Sequence, residues 1–349
     1  MIKGSQEREA VARLRFDTTG NKPKVPRLDI DRRVRRRDLS HFASVNHTMI
    51  NSYRFNWTLT LFWLLTMAGT GWASAGIPPL GSLPRAIYTD PPHDARYPAR
   101  TALLHIPTGK VKINGIAYLA EGPGLHSTAV LLLGLPGDEK DLDLAQAVRR
   151  AGWNAIDFFY RGSWGSPGVY RISHCLQDAR AVLVYLRAEA NAKALGIDTA
   201  RIVLVGHSMG GWIAVETAAH DHHLAGVALI SAADMGVVGA IARARLMKLL
   251  PDSMEPLAGV TPELMADELE THAREWRFDR VYKQIDRVPL LVITADDAVR
   301  SEGNMLVTAV RARGNRSVTA EHIATDHVYS DRRIALESAV IEWLQSLPR

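Results

Sequence analysis

The sequence predicts an α/β protein with a mostly parallel, doubly wound sheet. Three observations lead there. Short apolar runs of strand length alternate with longer helix-like stretches. Each of these runs is followed closely by a glycine, serine or aspartate. One Gly-x-Ser-x-Gly pentapeptide also stands at the junction of such a run with a helix-like stretch.

The strand-like runs are Ala129–Leu133, Asn154–Phe159, Ile202–Val205, Val227–Ile230, Leu290–Thr294 and Ser317–Ile323. They end respectively at Gly134, at Tyr160-Arg161-Gly162, at Gly206, at Ser231, before Asp296-Asp297, and close to Asp326-His327. Helix-like stretches lie between and after them, at Asp141–Ala151, His174–Ala194, Met209–Ala219, Gly303–Arg313 and Arg332–Leu347. Strand-then-helix order implies parallel strands with helices on both faces, and such sheets carry their chemistry at the carboxyl ends of the strands. Between Ala232 and Val288 no clear strand is visible, and stretches such as Pro262–Trp276 read as helices. We read 232–288 as a helical cap inserted over the strand ends, where it excludes water and shapes a pocket.

Composition narrows the function classes. Of the 349 residues 47% are hydrophobic, enough for a large core, and the formal net charge is +5. The positive excess is confined to the leader: residues 1–48 hold 12 Lys and Arg against 6 Asp and Glu. Beyond residue 75 acidic residues outnumber basic ones, 31 to 29, which argues against nucleic-acid binding by the main domain. The single cysteine, Cys175, excludes a disulfide framework and a Cys-rich zinc site.

Residues 1–48 read as a basic tail or an over-extended start. Residues 49–75 read as a signal peptide or N-terminal anchor, because Arg54 precedes the uncharged run Trp57–Thr70 and Ala73-Ser74-Ala75 follows it. The expectation is therefore an exported protein whose mature chain begins near Gly76. Membrane attachment through 57–75 and a buried helix remain the other readings. The twin-arginine reading of Arg32-Arg33 is set aside, since some twenty residues part it from the apolar run.

Gly206-His207-Ser208-Met209-Gly210 follows the strand-like IVLV and opens the helix-like GWIAVETAA. A serine at such a turn needs tiny neighbours two positions to either side, which Gly206 and Gly210 supply, and Gly211 lets the helix pack closely. The hydroxyl then projects at a helix N-terminus, which favours developing negative charge. His207 is read as a packing or supporting residue that points away from Ser208.

From about Thr101 to the C-terminus the chain resembles the α/β-hydrolase superfamily. Tyr160-Arg161-Gly162-Ser163-Trp164-Gly165-Ser166-Pro167-Gly168 is similar to a loop of its esterase-like and acylaminoacyl-peptidase-like members. The resemblance implies an eight-stranded sheet and acyl transfer to water, with no cofactor and no metal. It also implies an oxyanion hole from the backbone N–H groups of Met209 and Leu135, the latter in Leu133-Gly134-Leu135-Pro136-Gly137, where Leu133 replaces a common histidine. The family order of serine, acid and histidine makes Ser208 the nucleophile, Asp297 the acid with Asp296 as runner-up, and His327 the base, with His322 as its rival.

Trp164 and Tyr160 are candidate substrate-lining residues, with packing as the other reading for Trp164. Asp178 is expected to anchor the loop through Arg161. His220-Asp221-His222-His223 looks like a metal cluster, but adjacent ligands converge poorly on one ion. The leading expectation is a carboxylic-ester hydrolase with a small-molecule, acyl or peptidyl substrate. A peptidase, amidase or transacylase on the same triad, and a non-catalytic binding protein on the same fold, are the alternatives. Dehalogenase and epoxide-hydrolase chemistry is disfavoured, because those relatives carry Asp where Ser208 stands.

Overall fold

A computed structural model of the chain describes residues 83–348. The expectations for the leader segments 1–48 and 49–75 concern residues outside these. Among the described residues no helix is long and apolar enough to cross a membrane.

Eight strands form one sheet: β1 (Arg100–Thr108), β2 (Val111–Leu119), β3 (His126–Leu132), β4 (Asn154–Phe158), β5 (Ile197–His207), β6 (Gly226–Ile230), β7 (Leu290–Thr294) and β8 (Val318–His322). Their order across the sheet is β1-β2-β4-β3-β5-β6-β7-β8. β1 and β2 pair antiparallel, as do β2 and β4, and every other pairing is parallel. The mostly parallel, eight-stranded α/β sheet expected from the sequence is the one observed.

The β1–β2 hairpin is an element that the search for continuous apolar runs passed over. Its strands alternate buried and exposed side chains, and Thr108 pairs with Val111 across a two-residue turn in which Gly109 takes φ +53°. The central strands explain why the other runs were legible. Val203 and Val205 of β5 enter the core beneath α2 (Leu142–Arg150) and α10 (Arg333–Ser346), whereas Ile202 and Leu204 enter the opposite core. That second layer is formed by α3 (Ile172–Arg187), α5 (Met209–Ala218) and α9 (Arg300–Ala312). With both faces covered, alternate positions must both be apolar, and each fully buried Leu or Ile contributes about 1.5–3 kcal/mol.

The helix-like stretch His174–Ala194 is two helices. Ala188 is extended (ψ 127°) and separates α3 from α4 (Glu189–Leu195). The Asn191 amide donates to the Tyr185 carbonyl, satisfying an acceptor that the break exposes.

β3 lies between β4 and β5, so the chain leaves β3 toward one side of the sheet and later returns on the other. The loops after β3 and β5 therefore diverge and leave a crevice at their carboxyl ends. The segment between β6 and β7 holds α6 (Met235–Gly239), α7 (Arg243–Leu249), α8 (Pro262–His272) and two short 3-10 turns, and no strand of the sheet. Asp234 joins its entry to its exit: one carboxylate oxygen accepts from the Gly236 and Val237 N–H groups and the other from Phe278 N–H. The Trp212 indole donates to the Trp276 carbonyl at 2.8 Å, which fastens the segment to α5.

Candidate active site

Ser208 stands between β5 and α5 at φ 55° and ψ −119°, a region that L side chains rarely enter. The surrounding structure holds it there. Its N–H donates to the Ile230 carbonyl at 2.9 Å, and its carbonyl accepts from Gly211 and Ala233, each at 3.0 Å. The flanking glycines are required by close approach: a methyl at Gly206 would run into the Gly210 carbonyl, and one at Gly210 into the Leu132 carbonyl.

The loop after β3 lies against this turn. A methyl on Gly134 would come within 3.1 Å of Ser208 Cβ. Leu133 is buried, and its carbonyl accepts from the Tyr160 hydroxyl at 3.3 Å. Among the described residues neither Leu135 N–H nor Met209 N–H donates to a protein carbonyl, which leaves both donors available beside Ser208.

Asp297 follows β7 and accepts from His327 Nδ1 at 2.8 Å, with its side chain only 5% exposed. This contact fixes the tautomer. Nδ1 carries the proton toward the carboxylate, so Nε2 is left as the basic nitrogen. Asp296 is turned outward and bonds Arg300 at 2.8 Å and His322 Nε2 at 3.2 Å. Only one of the neighbouring aspartates thus meets His327, and His322 pairs with the other.

His327 reaches the serine turn through His207. The His207 Nε2–H donates to the His327 carbonyl at 2.9 Å, and the two rings lie 4.9 Å apart. The donation requires a proton on His207 Nε2, and burial holds the pKa of the ring below the ordinary histidine value. Among the described residues Ser208 Oγ makes no hydrogen bond to His327, a contact that in catalytic sites commonly tightens only in the substrate complex. Tyr329 secures the far side of the histidine loop. It sits at φ +59°, fully buried, with its hydroxyl on Ser231 Oγ at 3.0 Å and on the Ile293 carbonyl at 3.3 Å.

The four loops that carry Ser208 with Met209, Leu135, Asp297 and His327 therefore meet, through the Gly134–Ser208, His207–His327 and His327–Asp297 contacts. Two other site candidates are placed differently from a substrate wall. Tyr160 is 2% exposed and lies in the core beneath the loop after β3. That burial corrects the reading of it as a substrate-lining residue, since its ring offers no surface to a ligand. Trp164 is half-buried, and its indole N–H is committed to the Pro136 carbonyl at 2.9 Å. Asp178, fully buried, accepts from Arg161 N–H at 2.8 Å, Arg161 Nε–H at 2.7 Å and the Thr108 hydroxyl at 2.7 Å, which pins the Tyr160–Gly168 loop. In the histidine-rich turn Asp221 is engaged by Arg187 and by His223 N–H. Sequence reasoning read His207 as a packing or supporting residue without naming its partner, and missed the part played by Tyr329. A histidine flanking the nucleophile and a tyrosine two positions beyond the base were the visible signals, but neither has meaning until the loops meet.

The model of a family described as having the alpha/beta hydrolase fold matches residues 144–331, more than half of the chain. The chain belongs to the α/β-hydrolase superfamily. Solved structures of this superfamily resemble it at low identity. An esterase from Pyrobaculum calidifontis is 20% identical, covers 72% of this chain and 87% of its own, and superposes with a TM-score of 0.53. A thermostable carboxylesterase cloned from a metagenomic library is 21% identical over 72% and 91% of the two chains, with a TM-score of 0.52. An acylaminoacyl peptidase from Pyrococcus horikoshii is 16% identical over 71% of this chain and 41% of its own, with a TM-score of 0.53. At these identities the likeness establishes the α/β-hydrolase fold and nothing finer. No curated protein matches the sequence.

Proposed function

We propose that this α/β-hydrolase is a serine hydrolase that cleaves carboxylic esters through an acyl-enzyme on Ser208. The observation that carries the reading is the Asp297–His327 pair, in which a buried carboxylate holds a partly exposed imidazole at 2.8 Å, next to the strained turn that carries Ser208. In the first half-reaction His327 Nε2 takes the Ser208 proton as Oγ attacks the ester carbonyl. Asp297 holds the imidazole and offsets its positive charge. Met209 and Leu135 N–H groups stabilise the oxyanion, and His327 then protonates the departing alkoxide. Water, activated by the same base, releases the acid and restores Ser208.

The ester reading takes its substrate class from the esterases among the structural neighbours, and the acylaminoacyl peptidase among them supplies the alternative of an aminoacyl substrate on the same triad. The experiment is labelling with a fluorescent fluorophosphonate, alongside Ser208→Ala and His327→Ala, followed by turnover of p-nitrophenyl esters of increasing acyl length. Labelling and turnover in the wild type, lost in Ser208→Ala, are expected. Failure of the wild type both to label and to turn over the shortest ester would sink the proposal and favour a binding protein on the same fold. The apolar run in 57–75 supports export of the chain, which N-terminal sequencing of the mature protein checks.

A further inference from the structure

We infer that Trp164 is a positioning residue that couples the cap to the oxyanion loop. The inference rests on the serine-hydrolase reading and assigns Trp164 a role other than lining the substrate. Trp164 is a bulky residue at φ +46°, where non-glycine residues of its size are rare. Such a conformation persists only where surrounding contacts over-determine it.

Those contacts come from two directions. From the cap side, the chain around Pro256–Gly259 is zipped to the Tyr160–Arg171 loop by main-chain bonds. Trp164 N–H donates to the Pro256 carbonyl at 3.0 Å, Ala258 N–H to the Gly162 carbonyl at 2.7 Å, and Tyr170 N–H to the Ala258 carbonyl at 2.9 Å. Ser163 pairs with Leu257 as an isolated antiparallel bridge, and the Arg171 guanidinium donates to the Gly259 carbonyl at 2.8 Å. From the core side, the indole N–H of Trp164 donates to the Pro136 carbonyl at 2.9 Å. Gly137 leaves so little space there that a methyl on it would lie 3.0 Å from the indole nitrogen. The Lys140 ammonium covers the ring at 4.1 Å from its centroid.

Pro136 is the residue after Leu135, whose N–H is the proposed second oxyanion donor. Fixing the Pro136 carbonyl fixes the direction of the loop that presents that donor. Oxyanion stabilisation depends on donors being aimed before charge develops, so slack in this loop weakens the transition state more than substrate binding. A seated cap therefore holds the indole, and the indole holds the oxyanion loop.

Trp164→Phe keeps the aromatic ring and removes the one donor. Hydrogen exchange measured without substrate should speed up about tenfold in peptides spanning residues 133–138, the loss expected for one part-buried hydrogen bond. For a p-nitrophenyl ester kcat should fall about tenfold with KM within twofold, and a trifluoromethyl ketone should bind about tenfold more weakly. Unchanged exchange over 133–138 would overturn the clamp. So would a raised KM at unchanged kcat, which marks a substrate wall. Because exchange is read without turnover, a wild type inactive on every ester would defeat the hydrolase reading while exchange still decides the clamp.

Discussion

Replacing Asp297 by Asn, with Asp296→Asn as its control, separates a triad acid from a surface neighbour. Asp297 lies 2.8 Å from His327 Nδ1 and is 5% exposed, whereas the Asp296 side chain is 54% exposed and bonded to Arg300. When His327 takes the serine proton, a carboxylate about 4 Å from the new charge is worth about 4 kcal/mol at an effective dielectric near 20. That is about a thousandfold in rate. The amide also offers an N–H where the ring needs an acceptor, which favours the wrong tautomer and pushes the loss toward about ten-thousandfold. Asp296→Asn weakens only exposed pairings with Arg300 and His322, each worth about 0–1 kcal/mol, and should leave the rate within about threefold. The assay is kcat/KM on a p-nitrophenyl ester together with the rate of fluorophosphonate labelling. If Asp297→Asn kept more than a tenth of the wild-type rate, or Asp296→Asn lost as much as its neighbour, the assignment of the acid would be wrong.

Three further outcomes are expected. His207→Phe puts an apolar ring in place of the imidazole and removes the donor to the His327 carbonyl, so kcat should fall about five- to tenfold with KM little changed; an unchanged kcat would show that the contact is incidental. Gly210→Ala should cost about 3 kcal/mol or prevent folding, because its methyl meets the Leu132 main chain, which cannot turn aside; a urea midpoint matching the wild type would contradict this. Asp157, 2% exposed, is pushed up to about 7 by burial, and one of its oxygens has no partner among the described residues. The native state therefore binds that proton more tightly than the unfolded chain, so stability falls as pH rises from about 4 through 7 and then levels off. Asp157→Asn cannot ionise and should gain about 2–4 kcal/mol over the wild type at pH 8 and little at pH 4, read as unfolding midpoints at the two pH values.

The sequence by itself determined the parts whose physics is local. A strand buried on both faces must be apolar throughout, which made β5, β6 and β7 visible as runs. The turn that lifts Ser208 demands glycines at fixed offsets, which made the proposed nucleophile visible within five residues. Only the tertiary structure decided whatever depends on elements distant in the chain. The β1–β2 hairpin alternates because one of its faces is open, so it left no continuous run to find. The resemblance put Asp297 ahead of Asp296, and only the loop that carries His327 brings the imidazole to one of them, Asp297. Tyr160 reads as a pocket residue until the loop after β3 closes over it. His207 meets His327 across 120 residues of chain, and Trp164 joins Pro136 to Pro256. Such contacts have no sequence signature, because a side chain's neighbours are set by how the loops pack, and packing is a property of the whole sheet.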